Sequence, residues 1–126
     1  MVVGLGLDVV EIARIRKILE GPAETAERFL ARCFTARERA YCEGGDRAAR
    51  YAARFAAKEA ASKALGVPKG IGFLDVEVLR EDGAPPSLAF DGAALRAASA
   101  LGVARTLLTL THDGGVAAAV VVLEAR

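Results

Sequence analysis

Alanine recurs at Ala49, Ala53, Ala56, Ala57, Ala60 and Ala64, on one face of a 3.6-residue helix predicted over 47–65. A face this slim gains from burial only where a neighbouring sheet or helix packs very closely on it. Asp46 suits the N-cap of that helix, Gly66 its C′ position, and Pro68 prevents continuation. Gly4 and Gly6, inside the apolar run 2–8, likewise allow close backbone approach.

The charges on the long helix fall on two stripes. Arg47, Arg50, Arg54 and Lys58 share one; Glu59 and Lys63, one turn apart, share the other. Asp8 ends the strand-like run 2–8. Taken singly, each signal is ordinary. Glu59 and Lys63 read as an exposed helical ion pair worth about 0.2–0.5 kcal/mol. Asp8 reads as an N-cap, the basic stripe as a solvated face, and His112 as a surface histidine beside a turn. Together, two isolated carboxylates near cationic groups are what a magnesium ion holding a phosphate chain requires.

The remaining elements place these residues in an α+β chain. A helix over 9–19 follows the first strand and is stopped by Gly21-Pro22, with Arg14, Arg16 and Lys17 on its exposed side. A short helix over 24–32 comes next. Thr35-Ala36-Arg37-Glu38 is a capping box opening a brief helix that ends at Gly44-Gly45. Residues 73–79 alternate as a half-buried strand, Asp82-Gly83 signals a hairpin turn, and 87–90 return. Asp91 caps a helix over 92–100, and 106–111 and 116–123 form a hairpin around Asp113-Gly114-Gly115. The chain's 126 residues suit a single domain, 1–126.

Several function classes drop out. Ser62, Ser87 and Ser99 lack a nucleophile-elbow context, and one histidine with two separated cysteines makes no zinc ligand set. No P-loop, dinucleotide fingerprint or RNA-binding signature is present. A net charge of +1 provides no bulk field for nucleic acid or membrane. Cys33 and Cys42 read as reduced thiols, and no signal peptide or spanning segment is visible, so the cytoplasm is the expected compartment.

The block Arg54-Phe55-Ala56-Ala57-Lys58-Glu59-Ala60 with Lys63-Ala64-Leu65-Gly66 is highly specific. With Gly6-Leu7-Asp8-Val9-Val10-Glu11-Ile12 and Arg14, Phe34-Thr35 with Glu38, and Thr111-His112, it resembles the holo-acyl-carrier-protein synthases, small bacterial 4′-phosphopantetheinyl transferases. The chain departs from that family's usual Thr-Gly after Gly66, having Val67-Pro68.

The resemblance implies a 4′-phosphopantetheinyl transferase-like fold, a long helix packed on a mostly antiparallel sheet, assembled as a homotrimer with active sites between subunits. It implies transfer of 4′-phosphopantetheine from coenzyme A to a serine hydroxyl of apo acyl carrier protein for fatty acid biosynthesis, releasing adenosine 3′,5′-bisphosphate. Asp8 and Glu59 match the family's Mg2+ ligands, and Lys63 the lysine near the pyrophosphate; these three form the expected catalytic set. Arg54, Lys63, Gly66 and His112 are expected at coenzyme A. Arg14 matches a position that meets the carrier protein, with Arg16 and Lys17 extending that basic patch. A binding module without activity, and the same chemistry aimed at a carrier domain of polyketide or peptide synthesis, stay open as alternatives.

Overall fold

The computed structural model describes residues 1–81 and 83–126. The elements run β1 (Val2–Glu11), α1 (Ile12–Leu19), α2 (Ala23–Cys33), α3 (Ala36–Glu43), α4 (Arg47–Ala64), β2 (Val76–Leu79), β3 (Ser87–Phe90), α5 (Gly92–Ala100), β4 (Val103–Asp113) and β5 (Val116–Ala125). A 3₁₀ turn, Phe73–Asp75, precedes β2. One antiparallel sheet has the order β1-β5-β4; β2 and β3 form a separate antiparallel pair. The expected α+β class is what the chain adopts.

The inner sheet face is built for a helix to lie on. Along β1 the inward positions are Gly4, Gly6, Asp8 and Val10, opposite Leu123, Val121, Ala119 and Ala117 of β5. All four of those β5 residues are buried. α4 crosses this face with Ala49, Ala53, Ala56, Ala57, Ala60 and Ala64 buried. A methyl group added to Gly6 would sit 1.8 Å from the Ala60 carbonyl oxygen, and one on Gly4 would sit 2.2 Å from that of Ala64. The helix backbone therefore rests directly on the strand backbone, which neither partner permits with a larger side chain.

Much of the outer face of the same sheet is exposed, although Pro85, Pro86 and Ser87 lie beside Leu107, Val120 and Val122. Leu5, Leu7 and Val9 of β1 are 66%, 56% and 56% exposed, and Leu107 of β4 is 41% exposed. The register aligns Leu5 and Leu107 on either side of Val122, and Leu7 and Thr109 on either side of Val120.

The caps act as the sequence indicated. Asp46 accepts a hydrogen bond from the Ala49 N–H, Asp91 one from Gly92 N–H, and the Thr35–Glu38 capping box forms in both directions. Gly66 takes a φ of 84° beyond the end of α4. At the β4–β5 turn, Gly114 and Gly115 take φ of 59° and 84°, the double positive φ of a tight hairpin. Gly83 also has a positive φ, but its expected turn partner Asp82 lies outside the described residues.

Three elements differ most from expectation: the strand expected over 106–111 runs Val103–Asp113, and two others have a local cause. β1 continues to Glu11 because Val9 and Val10 pair with Ala118 and Ala117 of β5; the helix expected from residue 9 starts at Ile12. Asp8 is therefore a mid-strand residue rather than a helix cap. The strand expected from residue 73 begins at Val76, because Asp75 Oδ2 accepts from Gly72 N–H at 3.1 Å and closes a 3₁₀ turn first. Among the described residues, no helix is long and apolar enough to cross a membrane. Both cysteines are buried and unpaired, and burial pushes the Cys42 thiol up to about 12.

The seam between β1 and α4 leads to a stability prediction. Gly6→Ala should destabilise the fold by about 1–3 kcal/mol through overpacking against the Ala60 carbonyl. Gly72→Ala, with no heavy atom nearer than 4.0 Å, should stay within about 0.5 kcal/mol of wild type. Urea denaturation of the two variants checks the contrast.

Candidate active site

The first group of site residues gathers where β1 crosses α4. Asp8 is the next inward position after Gly4 and Gly6, so it points at the helix. Lys63 reaches back along α4, as helical side chains do, and its Nζ donates to Asp8 Oδ1 at 3.1 Å and to the Leu7 carbonyl at 3.0 Å. The Glu59–Lys63 ion pair that the spacing alone suggests does not form; Lys63 pairs across elements instead. This pair holds the strand and helix sides of the site together while its ammonium stays half exposed. Glu59 is half-buried one turn before Lys63, and with Lys58, Ser62, Ile71, Gly72, Phe73 and Val76 it lines a small cavity of about 110 Å³.

Lys58 is the residue that sequence reasoning placed wrongly. On its own it read as part of a solvated stripe, yet it is 2% exposed. Its Nζ donates to Glu38 Oε1 at 2.8 Å, to the Phe73 carbonyl at 2.9 Å and to the Val76 carbonyl at 2.7 Å. An ammonium has three protons, and all three are used. Glu38, 1% exposed, completes the network: Oε1 also accepts from Thr35 N–H and Oε2 from Val78 N–H. Thr35 Oγ1 in turn donates to Glu77 Oε2 at 2.6 Å. Burial lowers the pKa of Lys58 against the opposing pull of the Glu38 carboxylate. The network ties α3, the 3₁₀ turn and β2 to α4 beside Glu59, and so fixes the cavity wall. The capping box was the one sequence signal that pointed toward it.

Arg54 was assigned to the same stripe, and it too is buried, at 4% exposed. Its treatment is the opposite of that of Lys58. Nη1 donates to the Arg50 carbonyl at 3.3 Å, and no carboxylate pairs with the guanidinium among the described residues. Among the described residues no fully buried side-chain nitrogen is left without a partner, so the other N–H groups of Arg54 reach accessible space. That space is a cavity of about 530 Å³ lined by Arg50, Arg54, Arg80, His112 and Tyr41, with Asp46 as its one acidic lining residue. Burial lowers the pKa of Arg54, and the Arg80 charge adds to that direction. A buried cation with free donors facing a basic cavity is the chemistry of an anion site.

His112 thus joins Arg54, as expected, and Asp8 joins Lys63. The two groups do not meet within one chain. Arg54 and Glu59 lie about 140° apart around α4 at about 100° per residue. Gly66 is exposed past the helix end, followed by Val67 at a φ of 51°. That is left-handed backbone on a β-branched residue, held by Val67 N–H donating to the Ser62 carbonyl at 2.8 Å. Arg14, Arg16 and Lys17 are exposed on α1, away from every ion pair among the described residues. Among the described residues, no three histidine, cysteine, aspartate or glutamate side chains cluster as a metal site. Asp8 and Glu59 offer hard carboxylate oxygens only, a donor set that fits magnesium, which keeps several waters and needs few protein ligands.

Comparison with known proteins decides the family. The family model described as the 4′-phosphopantetheinyl transferase superfamily matches residues 4–121. The chain belongs to that superfamily. It is 68% identical over 125 residues to a holo-[acyl-carrier-protein] synthase of Anaeromyxobacter sp. (strain Fw109-5), covering 98% of this chain and 96% of the relative. The synthase of Myxococcus xanthus is 53% identical over 124 residues, covering 98% and 95%. Among solved structures, the Helicobacter pylori holo-[acyl-carrier-protein] synthase in complex with coenzyme A matches with a TM-score of 0.81 at 31% identity, covering 95% of this chain and 99% of that one. The Bacillus anthracis synthase in complex with CoA (3′,5′-ADP) matches with a TM-score of 0.79 at 34% identity, covering 100% and 99%. This transferase is therefore an enzyme, and the reading of a non-catalytic module is set aside.

The buried ion pair makes a measurable claim on this transferase. Lys58→Met should cost about 3–5 kcal/mol, because Glu38 would keep a buried charge without a cation. The denaturation midpoint reports it.

Proposed function

We propose that this transferase moves 4′-phosphopantetheine from coenzyme A to a serine hydroxyl of an apo acyl carrier protein in fatty acid biosynthesis. The observation that carries the reading is the Lys63–Asp8 contact, which joins a carboxylate of β1 to a cation one helical turn from Glu59. Serine oxygen attacks the phosphorus that bears pantetheine. A P–O bond forms to serine, the bridging P–O bond breaks, and adenosine 3′,5′-bisphosphate leaves with the electron pair.

Asp8 and Glu59 would hold magnesium, which when bound supplies charge neutralisation on the phosphates. Lys63 places a point charge beside the pyrophosphate, already oriented by Asp8 and the Leu7 carbonyl. Glu59, acting through a water, would take the serine proton. Arg54 and His112 line one basic cavity, and a planar fork with an imidazole donor suits the ribose phosphate, the second anionic group of coenzyme A. Gly66, at the end of α4, belongs to the coenzyme A side of the site.

One chain presents Asp8, Glu59 and Lys63 on one side of α4 and Arg54 with His112 on another. The reading therefore includes a homotrimer in which one subunit supplies the first group and its neighbour the second. The exposed Leu5, Leu7, Val9 and Leu107 face supports such an assembly. The cytoplasm is the compartment, consistent with two free thiols. Arg14, Arg16 and Lys17 offer an acidic helical carrier protein a local positive patch that speeds encounter and sets orientation.

Mass spectrometry of apo acyl carrier protein incubated with the enzyme, coenzyme A and magnesium should show the gain of one phosphopantetheine. Glu59→Gln, folded and with wild-type assembly, should lose about 10²-fold or more in turnover; wild-type turnover would remove Glu59 from the chemistry.

Arg14→Glu should raise the KM for the carrier protein severalfold while leaving that for coenzyme A near wild type, and more so at low salt. Steady-state kinetics with each substrate varied in turn checks this; an equal loss for both would count against the patch.

A further inference from the structure

Tyr41, in the last turn of α3, has an unusual pair of neighbours. The Arg50 guanidinium carbon lies 4.2 Å from its ring centroid, and the Arg54 guanidinium carbon also lies 4.2 Å from it. Two like charges one turn apart on α4 would ordinarily repel. Here an aromatic ring within cation–π range of both offsets that repulsion and fixes both planes. The arginines are further tied together by Arg54 Nη1 donating to the Arg50 carbonyl at 3.3 Å.

Arg50 is held just as firmly. Its Nη1 donates to the Tyr41 carbonyl at 2.6 Å. A methyl group on Gly45 would sit 2.3 Å from the Arg50 guanidinium carbon, so this loop has room for the guanidinium only because residue 45 lacks a side chain. Both arginines line the basic cavity, as do Tyr41 and His112. Asp46, the acid among the lining residues, has its Oδ1 engaged by the Ala49 N–H at 3.3 Å. A phosphomonoester at neutral pH carries about two charges and three acceptor oxygens, which one guanidinium does not satisfy.

Building on the assignment of this cavity to the ribose phosphate, we propose that Tyr41 is a positioning residue. Its ring sets Arg50 beside Arg54 as a double cation, and that pair selects coenzyme A over a substrate lacking the terminal phosphomonoester. Arg50 is thereby a specificity residue, and Tyr41 acts through the two arginines without touching the reacting phosphorus.

The test compares coenzyme A with dephospho-coenzyme A in the full assembly, for wild type, Tyr41→Phe, Tyr41→Leu, Arg50→Gln and Arg54→Gln. Calorimetric binding of adenosine 3′,5′-bisphosphate gives a readout apart from turnover. Tyr41→Leu and Arg50→Gln should each lower the ratio of kcat/KM for the two substrates by about tenfold, through KM for coenzyme A, and weaken bisphosphate binding to match. Tyr41→Phe keeps the ring and should keep the ratio. If Tyr41→Leu does not fold, Tyr41→Phe and Arg50→Gln carry the test.

An unchanged ratio in folded Tyr41→Leu or in Arg50→Gln, with the ratio lost in Arg54→Gln, overturns the proposal and leaves the cavity's assignment intact. Loss in Tyr41→Phe equal to that in Tyr41→Leu also overturns it, since the hydroxyl and not the ring would matter. An unchanged ratio in Arg54→Gln overturns the assignment of the cavity and the proposal with it.

Discussion

The contact of β1 with α4 is the constraint on which the rest depends. Gly4 and Gly6 let the strand lie against the Ala64 and Ala60 carbonyls, closer than any side chain allows. Burial of small residues releases little hydrophobic free energy for each one, so the seam draws its stability from many close dispersion contacts along its length. Its consequence is positional. With two inward positions emptied, Asp8 is the first inward side chain of β1 to meet the helix, and Lys63 reaches it without strain from a position one turn beyond Glu59.

Three cations on α4 show how surroundings decide a role. Lys58 spends every proton on Glu38 and two carbonyls, so it is a tether. Lys63 uses two partners and stays half exposed, so it retains capacity for a phosphate. Arg54 is buried without an acid partner and turns its remaining donors to a cavity. A buried charge left in that condition is costly unless a ligand compensates it. The fold bears that cost at the one place where a dianionic group of coenzyme A is proposed to sit.

The proposed division of the site between subunits is consistent with the exposed part of the sheet's outer face. A monomer that separates its anion cavity from its carboxylates gains nothing catalytically by hiding Leu5, Leu7 and Val9 beneath its own chain. In the proposed homotrimer, neighbouring subunits would cover that apolar surface and complete the site in one step, which also suits a chain small enough to bury its core incompletely.

Local chemistry was legible in the sequence wherever it depended on neighbours within a few residues. The Asp46 and Asp91 caps, the Thr35–Glu38 box, the Gly66 terminus, the Gly114-Gly115 turn and the slim alanine face all follow from short-range backbone rules and periodicity. So did the family, because the block around Arg54, Glu59 and Lys63 is specific as a string. What tertiary structure alone decided was partnership. A helical wheel gave Lys58 and Arg54 the same solvated stripe and paired Lys63 with Glu59, because it knows only one helix. Which charge is buried, satisfied or left open is set by elements 20 to 55 residues distant in sequence, from Glu38 to Asp8, and electrostatic free energy depends on those distances in space rather than along the chain.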